Sequence, residues 1–111
     1  MHHKLSQLTP RELFQGFSGR IIHTERMTLI YWDISEGATL PAHSHPHEQV
    51  VNVFTGEFEL TVDGEKRVLT AGNVFAIAPD AVHSGRALTA CHVLDVFCPV
   101  REDYPPSDLA S

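Results

Sequence analysis

Short runs rich in valine, isoleucine, phenylalanine and threonine recur along the chain, separated by glycine, proline and aspartate. They are RMTLIYWDI (26–34), EQVVNVFTG (48–56), EFELTVDG (57–64), KRVLTAG (66–72), NVFAIAP (73–79) and TACHVLDVF (89–97). Their β-branched and aromatic content, bounded by turn residues, predicts successive short strands. Phe58, Leu60 and Val62 alternate with polar residues as far as Asp63-Gly64. That pair favours the primed turns whose twist suits antiparallel strands, so a hairpin returning through Val68 is predicted. In VFAIA and CHVLDVF both parities are apolar, the pattern of a strand covered on both faces by a second sheet or a partner subunit. An all-β sandwich or closed barrel follows. Ahead of it, Thr9, Pro10 and Glu12 form a helix-start signature that introduces at most a short helix.

Length changes the picture only by limiting it. A chain of 111 residues holds one core, read here as a single domain with its barrel over about residues 20–100 and a polar, proline-rich tail at 105–111. The content of 42% hydrophobic and 20% charged residues suits a soluble globular protein, and no stretch approaches the roughly 20 apolar residues that cross a bilayer. The N-terminus lacks an apolar run of signal-peptide length, which makes the cytoplasm the expected compartment. A formal net charge of −6 without a basic run argues against nucleic acid and anionic membranes as partners. Cys91 and Cys98 lie too close along one extended segment for an easy disulfide and are expected to be free, buried thiols.

The chemistry concentrates in AHSHPHEQ, residues 42–49. Residues two apart on a strand point to the same side, so His43 and His45 can both reach one ion at about 2.1 Å from a ring nitrogen. Pro46 cannot extend a central ladder and can turn the chain, which brings Gln49 or Glu48 back toward the ion. A second segment, AGNVFAIAPDAVHSG (71–85), places His83 after a strand and a proline turn, where a separate element can supply a ligand from across a barrel. His2, His3, His23 and His92 carry no such pattern, and His92 reads as a packed strand residue.

These two segments resemble the paired motifs of small single-domain cupins. The first motif, a glycine, five residues, HxH, then an acidic position and a second glycine, is filled by Gly37, His43, His45, Gln49 and Gly56; the second is met by Gly72, Pro79 and His83. The resemblance implies a cupin-type double-stranded β-helix, a jelly-roll barrel with a short N-terminal helix or extension. It also implies one divalent metal ion (nickel, zinc, manganese or iron) held by His43, His45, Gln49 and His83, with His47 and Glu48 outside the ligand set. Gln49 departs from the glutamate common at its position. Three imidazoles and an amide are all neutral, so an ion there keeps its full charge, prefers an anionic oxygen ligand and acts as a Lewis acid.

The last predicted strand adds a second set. In LDVFCPVRED, Asp95 and Phe97 share a face and Arg101 follows the Cys-Pro bend. If that face is the interior, a carboxylate near a cation can handle protons and a guanidinium can grip an organic acid. The alternative is an Asp95–Arg101 ion pair that closes the barrel end. HxHPHEQ together with the ending D-x-F-x-P-x-R-E-D-Y resembles the pectin-degradation cupins, which open the ring of 4,5-unsaturated uronates released from pectin and alginate. That likeness implies a small anionic sugar acid as substrate, Asp95, Phe97 and Arg101 as active-site residues, and a homodimer. A cupin dioxygenase and a non-catalytic sugar-binding cupin are the competing classes. Oxygen uptake with an organic substrate marks the former, and binding without conversion marks the latter.

Overall fold

In the computed structural model, which describes residues 1–106, a 3-10 turn at Leu5–Gln7 precedes ten strands. The strands are β1 (Arg11–Phe14), β2 (Phe17–His23), β3 (Thr28–Ile34), β4 (Thr39–His43), β5 (Glu48–Thr55), β6 (Phe58–Val62), β7 (Glu65–Leu69), β8 (Val74–Ile77), β9 (His83–Ala87) and β10 (Cys91–Cys98). They form a six-stranded sheet in the order β1-β2-β3-β10-β5-β8 and a four-stranded sheet in the order β4-β9-β6-β7. Every pairing is antiparallel. The part of the expected tail beyond Pro106 lies outside the described residues.

The predicted hairpin forms between β6 and β7, with Val62 opposite Glu65. Both turn residues have positive φ, 49° at Asp63 and 81° at Gly64, the signature of a type I′ turn. The helix signature at Thr9 is overridden. Arg11–Phe14 is a strand paired with β2, and the helical turn falls earlier, at Leu5–Gln7. A cap is worth about 1 kcal/mol, and docking Leu13 against the core outweighs it.

Alternation carries the core. Ile30, Trp32 and Ile34 on β3 are buried, and so are Val51 and Val53 on β5 and Val93 and Phe97 on β10. These side chains face Phe58, Leu60 and Ala87 of the other sheet across one cluster. On β9, Gly85 admits the Phe58 ring, which would collide with any added Cβ. The double covering predicted for β8 does not hold within one chain, because Val74 is 61% exposed at the sheet edge. Both thiols are free, but only Cys91 is buried; Cys98 is exposed. His92 is likewise an exposed residue, with its ring between Asp33 at 2.7 Å and Thr55 at 2.7 Å.

Candidate metal centre and acid-binding cavity

Two ladders converge on the histidines. At the end of the β4–β9 pairing, beyond a register shift after Leu40, His43 lies directly opposite His83, and their ring centroids are 4.2 Å apart. His45 sits in the bend after β4 with its ring 4.9 Å from that of His83. One nitrogen from each of His43, His45 and His83 falls within a 4.8 Å group, close enough to surround a single ion.

The hydrogen bonds say which nitrogens are available. Nδ1 of His43 meets the Pro41 carbonyl at 2.9 Å, that of His45 the His47 carbonyl at 3.1 Å, and that of His83 the Ala81 carbonyl at 2.9 Å. A carbonyl oxygen only accepts, so each Nδ1 carries a proton, and in the neutral ring each Nε2 presents a lone pair. This is the tautomer and second-contact pattern of metal-ligating histidine. Nε2 of His83 is buried without a hydrogen-bond partner among the described residues. Nε2 of His45 faces Oε1 of Gln49 at 3.1 Å, two lone-pair atoms that a cation between them would reconcile. The donor set therefore fits one divalent ion. Burial, reinforced by Arg101 and His83, brings the His45 pKa down to about 4, and burial also lowers that of His83. Neutral rings are the form that ligates.

The six-stranded sheet supplies the other wall. Gln49 on β5 pairs across the ladder with Phe97 on β10, and Asp95 lies two residues before Phe97 on the same face. Asp95 Oδ2 accepts the indole N–H of Trp32 at 2.9 Å, and Oδ1 is also buried. Trp32 can reach it because its ring lies over Gly19, where an added Cβ would stand 2.9 Å from the indole. Burial raises the Asp95 pKa to about 6 against the opposing pull of Gln49, Trp32 and Arg101.

Arg101 is not paired with Asp95 as the ion-pair alternative required. Its Nε and one terminal nitrogen donate to Asp103 at 3.0 and 2.8 Å, a bidentate fork that holds Asp103 below the usual carboxylate range. The guanidinium is stacked between Phe97 at 4.8 Å and Tyr104 at 4.2 Å. With five N–H donors on a guanidinium and two engaged by Asp103, donors remain for an anion. His43, His45, His83, Gln49, Asp95 and Arg101 line one cavity, together with Phe97 and Tyr104. Phe97 is also core, 2% exposed and 5.6 Å from the His45 ring. Its truncation would cost about 3–5 kcal/mol and would not isolate a role in the cavity.

Trp32, Asp103 and Tyr104 were not singled out by spacing. The alternation of β3 places Trp32 inside, but its meeting with Asp95 depends on the β3–β10 register, 63 residues apart in sequence. Glu48 is exposed at the start of β5, and His47 stands outside the three-histidine group.

The family model described as a cupin domain matches residues 30–97. The pectin degradation protein KdgF of Dickeya dadantii (strain 3937) is 31% identical over 96 residues, spanning 84% of this chain and 87% of the relative. KdgF from Halomonas sp. superimposes with a TM-score of 0.81 at 31% identity, over 86% of this chain and 89% of that one. An RmlC-like cupin from Shewanella frigidimarina NCIMB 400 does so with a TM-score of 0.86 at 31% identity, over 90% and 91% of the two chains.

Proposed function

The chain belongs to the cupin family, and on that premise we propose that it opens the ring of 4,5-unsaturated uronate monomers derived from pectin or alginate, giving the linear keto acid. The observation that carries this reading is the meeting of three kinds of group in one cavity: three histidines, a buried carboxylate and a stacked guanidinium. The likeness to KdgF supports it.

The substrate is a cyclic hemiacetal whose ring oxygen is attached to a C4=C5 double bond, with a carboxylate on C5. Asp95 takes the proton of the C1 hydroxyl as the C1 carbonyl forms and the bond from C1 to the ring oxygen breaks. The released electron pair stays on the former ring oxygen as an enolate. Delivery of the proton from Asp95 to C4 then leaves a ketone at C5, and the atoms balance without any redox partner. A pKa near 6 suits a group that must both accept and return a proton. Arg101 grips the carboxylate through donors not given to Asp103, and Phe97 and Trp32 keep water from the carboxylate of Asp95. A divalent ion held by His43, His45, His83 and Gln49 supplies Lewis acidity for negative charge developing on oxygen.

The direct test is incubation with a 4,5-unsaturated galacturonate, following loss of the enol-ether ultraviolet absorbance and appearance of the open-chain keto product by proton NMR. An oxygen electrode in the same vessel should record no uptake; uptake would favour the dioxygenase class. Gln49→Glu should retain the metal yet turn over more slowly, about tenfold or more, because added negative charge weakens the ion as an electrophile and repels the substrate carboxylate. Equal rates in the variant and the parent would show that neutrality at this position is incidental.

We also propose a homodimer in the cytoplasm. Two free thiols agree with a reducing compartment, and no helix is long and apolar enough to cross a membrane. On the outer face of the six-stranded sheet, Leu94 and Val96 of β10 pair with Tyr31 and Leu29 of β3, and Phe54 of β5 is 51% exposed. An apolar sheet face of this kind is what a second copy would cover. Light scattering should give twice the 12.3 kDa chain mass, and Leu94→Glu should return it to a single chain.

A further inference from the structure

Arg101 lies in a segment that belongs to no strand, Pro99 to Pro105, yet the acid-binding role proposed above needs its guanidinium held to a fraction of an ångström. Asp103 and Tyr104, which clamp that guanidinium, belong to the same segment, and the Phe97 ring and the core packing of Tyr104 bear on side chains. The backbone of the segment is tethered from elsewhere. Thr28, the first residue of β3, is fully buried at 0% exposure, a polar side chain at a position that alternation would fill with an aliphatic one. It stands opposite both Phe97 on β10 and His23 on β2.

Its hydroxyl is the centre of a directed chain of hydrogen bonds. The backbone N–H of Arg101 donates to Thr28 Oγ1 at 2.8 Å. Nδ1 of His23 lies 2.8 Å from the same oxygen, and Nε2 of His23 lies 2.8 Å from the carbonyl oxygen of Pro105. The Pro105 carbonyl only accepts, so in the neutral ring Nε2 carries the proton and Nδ1 accepts. Thr28 O–H then donates to Nδ1, and its lone pairs are left for the Arg101 N–H. The Arg101 N–H, the Thr28 hydroxyl and the Pro105 carbonyl are each satisfied in this arrangement. Thr28 grips the segment at Arg101 and His23 grips it four residues later at Pro105.

We propose that Thr28 and His23 are positioning residues that lock the segment bearing Arg101 onto the barrel and so set where the substrate carboxylate is held. The inference rests on the acid-binding reading of Arg101. Thr28→Val preserves shape but leaves the buried Arg101 N–H without an acceptor, whereas Thr28→Ser keeps the oxygen. A substrate carboxylate is present in both ground and transition states, so a misplaced Arg101 acts on KM more than on kcat.

The test combines hydrogen exchange with kinetics on the metal-loaded full chain. In Thr28→Val the backbone amide and Nε proton of Arg101 should exchange at least tenfold faster by nitrogen-15 NMR, with the Ile30 amide of β3 as an unchanged reference. KM for the unsaturated galacturonate should rise about tenfold, with kcat within about threefold of the parent and the metal content unchanged. Thr28→Ser should restore both readings. His23→Phe, on a half-buried position that tolerates a ring, should shift them in the same direction and keeps the question decidable if Thr28→Val does not fold. Parent-like exchange at Arg101 in the folded variants overturns the proposal, as does a loss confined to kcat. If the parent leaves the uronate unchanged, the reading of the activity fails, and the exchange measurement alone still decides whether Thr28 and His23 fix Arg101.

Discussion

Asp95→Asn should lower turnover of the unsaturated uronate by a hundredfold or more, the usual scale for a general acid–base group, while metal content and melting temperature stay near those of the parent. An asparagine oxygen can still accept the Trp32 N–H that now meets Oδ2 at 2.9 Å, so the cavity wall keeps its shape and only the capacity to move a proton is removed. Stability is not expected to suffer. The folded pKa, about 6, lies above the ordinary aspartate value, so holding Asp95 ionised near neutral pH works against folding, and the neutral amide relieves that cost. A structural carboxylate would behave in the opposite way, with full turnover in the variant or a collapse of the melting transition. Either outcome would remove Asp95 from the mechanism.

His83→Ala, and separately His43→Ala, should abolish stoichiometric metal by elemental analysis while the far-ultraviolet circular dichroism remains that of a β-protein. His83 contributes a buried, unpartnered Nε2 whose orientation is set by the Ala81 carbonyl. It begins β9 rather than filling the core, which is built by residues such as Ile30, Val53, Ile77 and Phe97. Loss of one of three nitrogens from a group within 4.8 Å leaves too few ligands to compete with water. His47→Ala serves as the control and should keep its metal, since His47 lies outside that group. Stoichiometric metal in both ligand variants would separate the cluster from the ion and with it the Lewis-acid chemistry.

Periodicity and turn chemistry determined much of the architecture before any tertiary contact is considered. Alternation in Ile30-Trp32-Ile34 and in Phe58-Leu60-Val62 set which faces are buried, and Asp63-Gly64 set a type I′ hairpin, because these signals act within a few residues. The spacing of His43 and His45, with His83 after its proline turn, likewise pointed to one cluster of rings. β2, β4 and β9 are not among the strands predicted from the sequence, and for β4 and β9 the reason is physical. TLPAH and HSGRA are short and poor in apolar residues, and they are strands because β9 pairs with both β4 and β6, not because either prefers to be extended. β1 is the converse case, a helix-start signature overruled by pairing with β2.

Only the tertiary structure decided the partners of the charged groups. Asp95 and Arg101 are six residues apart and of opposite sign, yet Asp95 is bonded to Trp32 and Arg101 to Asp103. Register sets which residues face each other across a sheet, and it depends on the sum of many pairings along the ladder rather than on any one side chain. The fully buried Thr28, with His23 beside it, became meaningful only when the fold brought Arg101 and Pro105 back to them across 73 and 82 residues of sequence. A hydrogen bond needs its partner within about 3 Å, and no local pattern encodes that proximity.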